Sequence, residues 1–132
     1  EDAFNELTEA TQALAMQDIS ADKRLRQIMN MYHEKMQANK NLFLILSLES
    51  QRLRLESQKE IQAKRHAFQD LIRALIEEGV CEGVFRNVNP LLAARLLISA
   101  ISPVIFGSRL TGTPQEMLTE TLDIFFKGIE HC

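Results

Sequence analysis

The chain has 132 residues, of which 45% are hydrophobic and 25% charged, and its formal net charge is −3. This composition predicts one globular domain and excludes disordered, collagen-like and low-complexity classes. Because 15 Lys and Arg are outnumbered by 18 Asp and Glu, we do not expect this stretch to bind nucleic acid through phosphate contacts. With five glycines and three prolines, the chain has too few turn residues for an all-β sandwich. With 6% aromatic residues, it also has too few rings for a protein that binds nucleic acid by stacking on bases.

The sequence shows no sign of a membrane or secreted context. No apolar run of about 18 residues is free of charge, and Glu1 and Asp2 do not resemble the start of a signal peptide. Cys81 and Cys132 form no spaced framework for disulfides or metal. We therefore expect a cytoplasmic protein with free thiols, no bound metal and no other cofactor.

Apolar residues at three- and four-residue spacing predict two helices in the first third of the chain. The first covers residues 1–17, and the second runs from about Ala21 to Ala38, with Asp18 or Ser20 as its cap. On the second helix, Lys23, Arg24 and Arg26 fall mostly away from the apolar face. We interpret the next apolar run, Leu42–Leu48, as a short buried helix, although the pattern alone is also compatible with a strand.

The longest predicted helix covers residues 55–78. We expect it to end at Gly79 in a left-handed cap, with Gly83 making a second turn. Glu77 and Glu78, in its last turn, are expected to be solvated.

Two further helices complete a predicted six-helix, all-α bundle. One begins at Asn89-Pro90 and runs to about Ser108, and the other begins at a capping box, Thr113–Glu116, and runs to about Lys127. The first is apolar nearly all round and the second on more than one face, and a helix that is apolar all round must be covered on every side. We therefore expect these helices to pair with those of a second copy as an intermolecular four-helix bundle in a two-fold homodimer.

The order of signals around the end of the long helix points to a family. An Ile-x-x-Gly pattern at Ile76–Gly79 is followed by a Gly-x-Phe-Arg turn at Gly83–Arg86 and by the Asn89-Pro90 helix start. This set resembles the C-terminal ligand-binding and dimerisation domain of TetR-family transcriptional regulators. The resemblance covers essentially the whole chain.

The resemblance implies one effector-binding and dimerisation domain over residues 1–132. Residues 1–17 match the end of the helix that links to the family's N-terminal helix-turn-helix domain. Residues 20–86 match the pocket-forming helices, and residues 89–132 match the dimerisation helices. The helix-turn-helix part has no counterpart in this sequence, so we expect a fragment of a full regulator rather than a freestanding relic. DNA contact is then expected only through that absent domain.

The resemblance also places an effector pocket between the second, short and long helices. Methionines suit such a pocket because they adapt to apolar ligands, and a tyrosine hydroxyl can orient a polar group. Ordinary core packing is the competing interpretation for every candidate. The candidate ligand-binding residues are Met29, Tyr32, His33, Met36, Leu44, Leu48, Phe68, Ile72, Leu97 and Ile101. The candidate dimer-interface residues are Leu92, Arg95, Leu96, Ser99, Pro103, Leu118, Thr121, Leu122, Phe125, Phe126 and Ile129.

No catalytic constellation is visible, and we expect no enzyme. The resemblance implies a repressor whose small lipophilic effector relieves DNA binding. A fatty acid and an acyl-CoA are candidates, and the acyl-CoA needs basic residues at the pocket mouth, such as Arg52, Arg54 or Arg65. A neutral lipophile needs none. The alternative is a helical protein-interaction module without a small ligand, which predicts a filled core and an exposed apolar groove.

Overall fold

A computed structural model describes residues 2–41, 55–107 and 109–129. The secondary-structure elements in these ranges are five α-helices. The all-α prediction is confirmed for this part of the chain. The predicted short helix Leu42–Leu48 lies outside the described residues. The five described helices are α1 (Asp2–Ala15), α2 (Ala21–Ala38), α3 (Leu55–Cys81), α4 (Pro90–Phe106) and α5 (Pro114–Ile129).

Helix α2 is central and contacts each of the four other described helices. Its apolar stripe is completely buried at Leu25, Ile28 and Met29. Burial of such side chains contributes about 1.5–3 kcal/mol each, so this stripe is a main source of stability. On the neighbouring helices the stripe meets side chains that are likewise fully buried, among them Ile72, Ile76, Leu97, Ile101, Leu118 and Phe126. None of the described helices has both the length and the apolar character needed to cross a bilayer.

The end of α3 differs from the prediction. The helix continues through Gly79 to Cys81, and Gly83, not Gly79, has the positive φ of 80°. The Val84 N–H donates to the Gly79 carbonyl at 2.9 Å, and the Gly83 N–H donates to the Val80 carbonyl at 3.2 Å. This pair of bonds is a Schellman motif, in which only glycine adopts the left-handed cap without strain.

Gly79 has a different role, which is close packing. A Cβ at this position would overlap the ring of Phe85, a side chain that is almost fully buried. The next residue, Arg86, connects this turn to the end of α5. Its N–H donates to the Ile129 carbonyl and its Nε to the Gly128 carbonyl, both at 2.8 Å. The Gly-x-Phe-Arg turn therefore terminates α3 and caps α5 at once.

The helix starts agree with the sequence in two of three cases. Asn89 Oδ1 accepts from the Leu92 N–H at 3.0 Å, as predicted. The predicted capping box is also present, because the Thr113 N–H donates to Glu116 Oε1 at 2.8 Å and the Glu116 N–H to Thr113 Oγ1 at 3.1 Å. The bonds from Thr113 lower the pKa of the Glu116 carboxyl. Ser20 occupies the cap position of α2, but its side chain makes no capping hydrogen bond.

Arg24 corrects a second expectation. It is buried, not on the solvated face of α2, and its guanidinium forms an ion pair with Glu78. The same guanidinium donates to the carbonyl of Ala15, the last residue of α1, at 2.9 Å. Glu78 therefore forms an ion pair, although its side chain is still 40% exposed. One side chain on α2 joins the end of α1 to the last turns of α3.

Candidate functional site

A cavity of about 820 Å³ lies among the first four described helices. Cavities of this size accommodate small organic molecules, whose sites span roughly 300–1,000 Å³. Each of α1 to α4 contributes to its wall, and α3 and α4 contribute most of the lining.

One part of the wall is apolar and includes aromatic rings. Tyr32 of α2 and Phe68 of α3 stack with their ring centroids 5.0 Å apart. This pair forms a flat surface that an apolar chain or ring can lie against. The apolar lining consists of Leu7, Tyr32, Met36, Phe68, Leu91, Ile98 and Phe106.

The hydroxyl of Tyr32 is available within this apolar wall, because it makes no hydrogen bond to any described residue. Burial raises the pKa of Tyr32 above its ordinary value of 10.0, and the nearby Arg65 acts in the opposite direction. The phenol is therefore protonated at neutral pH and can donate a hydrogen bond to a bound molecule.

The other part of the wall is polar and includes more basic than acidic side chains. The polar lining consists of Gln62, Arg65, His66, Gln69, Asp70, Arg73, Arg95 and Ser102. Gln62 Nε2 and His66 Nε2 lie 2.9 Å apart, so these two side chains are hydrogen-bonded to each other. With three arginines and one aspartate among the described lining residues, the cavity carries excess positive charge although the chain as a whole is acidic.

The three arginines differ in their partners. Arg73 NH2 lies 3.7 Å from Asp70 Oδ1, and Arg73 Nε lies 3.5 Å from Glu77 Oε1. Arg65 and Arg95, in contrast, have no carboxylate within ion-pair distance among the described residues. Their charges are uncompensated by the described part of the protein.

Helix α4 presents three faces, which follow from its 3.6-residue repeat. The cavity face carries Leu91, Arg95, Ile98, Ser102 and Phe106. The exposed face, offset by one residue, carries Leu92, Leu96, Ser99 and Pro103. The third face is buried in the core and includes Ala94, Leu97, Ile101 and Ile105.

The predicted ligand-binding residues fall into three groups. Tyr32, Met36 and Phe68 line the cavity together. Four others are completely buried in the core and do not appear on the cavity wall, namely Met29, Ile72, Leu97 and Ile101. Leu44 and Leu48 lie outside the described residues, as do Arg52 and Arg54.

The remaining candidate, His33, is buried and is not on the cavity wall. Its Nε2 atom has no hydrogen-bond partner among the described residues. Burial lowers the pKa of His33 below its ordinary value of 6.5, so the ring is neutral at pH 7. No group of three or more potential metal ligands occurs among the described residues.

The predicted dimer-interface residues divide between surface and core. Leu92, Leu96, Ser99 and Pro103 are exposed on one face of α4, and Thr121 and Phe125 of α5 are half-buried. Arg95 is exposed on the cavity wall. In the single chain, four residues of α5 are buried within its own core, namely Leu118, Leu122, Phe126 and Ile129.

Sequence reasoning did not single out several wall residues, chiefly Arg73, Leu91, Ile98, Ser102 and Phe106. On α4 a signal was present, because the cavity face repeats at helical spacing from Leu91 to Phe106. This repeat could not be recognised in the sequence, because the neighbouring faces of the same helix are also apolar. On α3 the polar wall residues lie beside the core stripe, where side chains are ordinarily solvated.

The arrangement of the described helices also occurs in solved structures of two transcriptional regulators. Superposed on the TetR-family transcriptional regulator PfmR from Thermus thermophilus, the chain gives a TM-score of 0.84 at 24% identity, covering 98% of this chain and 71% of that one. A regulator of the TetR/AcrR family from Thermobifida fusca gives a TM-score of 0.79 at 19% identity, covering 96% and 68% of the respective chains.

The sequence itself decides the family. The profile described as "Tetracyclin repressor-like, C-terminal domain" matches residues 18–129, and the chain belongs to this family. No curated protein matches the chain in sequence. The members of this family are transcription regulators, which are generally not enzymes.

Proposed function

We propose that the chain is the effector-sensing and dimerising domain of a TetR-family transcriptional repressor. A small apolar or amphipathic molecule occupies the cavity, and its binding relieves DNA contact by a helix-turn-helix domain of the same regulator. The observation that carries this proposal is the 820 Å³ cavity with its stacked Tyr32 and Phe68 rings. Sites that bind small organic ligands combine apolar and aromatic surface with polar groups that orient the ligand, and this wall has both.

Dimerisation rests on the exposed face of α4. Leu92 and Leu96 are 54% and 57% exposed, and on α5 Ile124 is 67% exposed. Neighbouring apolar side chains that remain exposed mark an interaction surface. The partner that we propose is a second copy, with α4 and α5 of each subunit forming an intermolecular four-helix bundle.

A mechanism follows from the positions of the helices. The cavity face and the exposed face of α4 are one residue apart, so a ligand that repositions α4 also changes the surface offered to the partner. Leu7 brings α1 to the same cavity. A ligand changes the arrangement of the dimer only if it binds one arrangement more tightly than the other. We propose that the effector prefers the arrangement that cannot engage DNA.

The alternative, a helical protein-interaction module without a small ligand, draws on the same exposed leucines. A protein-interaction module requires no cavity, and for such a module we expect a filled core. The two functions therefore differ in whether the cavity is used.

Two serines on α4 provide a matched test, because both lie on this helix but on different faces. Ser102→Trp fills the cavity, and Ser99→Trp alters the exposed face. We expect Ser102→Trp to weaken binding of the neutral fluorescent probe Nile red by about tenfold or more without changing the oligomeric state. Ser99→Trp is expected to weaken the dimer in analytical ultracentrifugation and to retain Nile red binding. Equal Nile red affinity in wild type and Ser102→Trp would contradict the proposal.

A further inference from the structure

Two arginines that have no carboxylate partner among the described residues border the apolar part of the cavity. Arg65 lies on α3 three residues before Phe68, and Arg95 lies on α4 between Leu91 and Ile98 at spacings of four and three residues. These spacings place each guanidinium beside an apolar wall residue on the same helix face. Charge and apolar surface are therefore adjacent on both walls.

No carboxylate of the described residues balances the charge of these two arginines. Asp70 is the one carboxylate among the described lining residues, and it lies 3.7 Å from Arg73. The attraction between two opposite charges is stronger near a protein surface than in bulk water, because the effective dielectric constant is lower there. An anion that enters the cavity therefore gains attraction from Arg65 and Arg95 without displacing a described protein carboxylate.

The chemistry of the guanidinium restricts the anion. Its planar set of N–H donors matches the oxygens of a carboxylate or a phosphate, with which it forms paired hydrogen bonds. The hydroxyl of Tyr32, which makes no hydrogen bond to a described residue, supplies one more donor close to Arg65. The rings of Tyr32 and Phe68 then remain for an apolar tail.

We propose that the effector is an anionic amphiphile whose carboxylate or phosphate head pairs with Arg65 and Arg95 while its hydrocarbon tail lies against Tyr32 and Phe68. This inference rests on the proposed function, and it narrows the ligand class from any lipophile to amphiphiles with an anionic oxygen head. Neutral and cationic molecules with the same tail bind more weakly, because they leave both guanidinium groups without a partner.

The experiment compares four ligands with the same ten-carbon tail: decanoate, decyl phosphate, 1-decanol and decylamine. Each is titrated below its micelle concentration as a competitor of Nile red on the purified chain. We expect decanoate or decyl phosphate to bind at least about tenfold more tightly than 1-decanol, and decylamine to bind most weakly, because hydrogen bonds to charged groups exceed neutral ones. The better of the two anions identifies the head group.

Charge-removing variants locate the effect. Arg65→Gln and Arg95→Gln each reduce the preference for the anion over 1-decanol, and Arg65→Lys and Arg95→Lys retain part of it. The control is Arg109→Gln, an exposed position outside the cavity, which leaves the preference unchanged. All of these side chains are exposed, so the variants are expected to fold.

The outcomes separate this inference from the proposed function. Equal displacement by the anions and 1-decanol, or tightest binding of decylamine, overturns the anionic head group and leaves the effector cavity in place. The inference also fails if the anion preference survives both glutamine substitutions. Failure of Nile red and all four decyl ligands to bind overturns the proposed function itself.

Discussion

At the scale of single residues, two helical glycines have opposite surroundings. A Cβ on Gly79 would overlap the buried ring of Phe85, whereas a Cβ on Gly128 meets nothing within 4 Å. Both belong to helices, in which alanine is preferred over glycine by about 1 kcal/mol. Helix propensity alone predicts that both substitutions stabilise the protein, and the packing around Phe85 predicts that only one does.

We expect Gly79→Ala to lower the free energy of unfolding by about 1–3 kcal/mol, because overpacking a core outweighs the gain in helix propensity. Gly128→Ala, the matched control, is expected to raise it by up to about 1 kcal/mol. Urea denaturation followed by circular dichroism measures both. Stabilisation by Gly79→Ala would show that Phe85 does not pack against α3 as described.

The same pair of glycines shows where sequence reasoning at this scale stops. The motif around Gly79 and Gly83 was sufficient to place the end of the helix within three residues. It did not distinguish a glycine needed for its backbone angle from one needed for its missing side chain. That distinction depends on Phe85, whose position is set by tertiary packing.

At the scale of helices, Arg24 connects α1, α2 and α3 through its side-chain contacts. It lies on α2, pairs with Glu78 of α3 and donates to the Ala15 carbonyl at the end of α1. Its burial was not predictable from the spacing of apolar residues, because an arginine is ordinarily assigned to the solvated face. The compensating partner, Glu78, is 54 positions away in the sequence.

We expect Arg24→Met to lower the free energy of unfolding by about 1–3 kcal/mol, since it removes the ion pair and leaves the Ala15 carbonyl without its donor. Glu78 retains partial contact with water, with a side chain 40% exposed, so its own desolvation adds little. Hydrogen exchange should accelerate in the last turn of α1. Lys23→Met, at the adjacent exposed position, is the control and should change stability by less than about 0.5 kcal/mol. Equal effects of the two variants would contradict the role of Arg24.

Helix α4 shows how much of an element the sequence reveals. The start of this helix at Asn89-Pro90 and its apolar character were predicted. We also expected that the core of a single chain would not cover all of its apolar faces, and Leu92 and Leu96 are indeed exposed. The division of its remaining surface was not predicted. Which apolar face borders a cavity depends on how far α1, α2 and α3 stand from it, and this distance is not encoded in any local pattern.

At the scale of the whole molecule, charge and apolar surface are distributed in a way that suits a sensor. The chain is acidic overall, with a net charge of −3, yet the described wall of its cavity carries three arginines and only one carboxylate. The apolar surface of α4 is separated into a cavity side and an exposed side. In the function that we propose, a small ligand and a second subunit therefore bind separate surfaces of one helix, and a response to the ligand can reach the partner.

Native mass spectrometry of the purified chain tests this account most directly, because one spectrum reports the number of subunits and any retained small molecule. We predict a dimer of twice 15.1 kDa that takes up one decyl anion per subunit in preference to 1-decanol. The Ser102→Trp variant should remain a dimer and lose the adduct. A monomer that retains no ligand under any of these conditions would contradict both the dimer and the effector cavity.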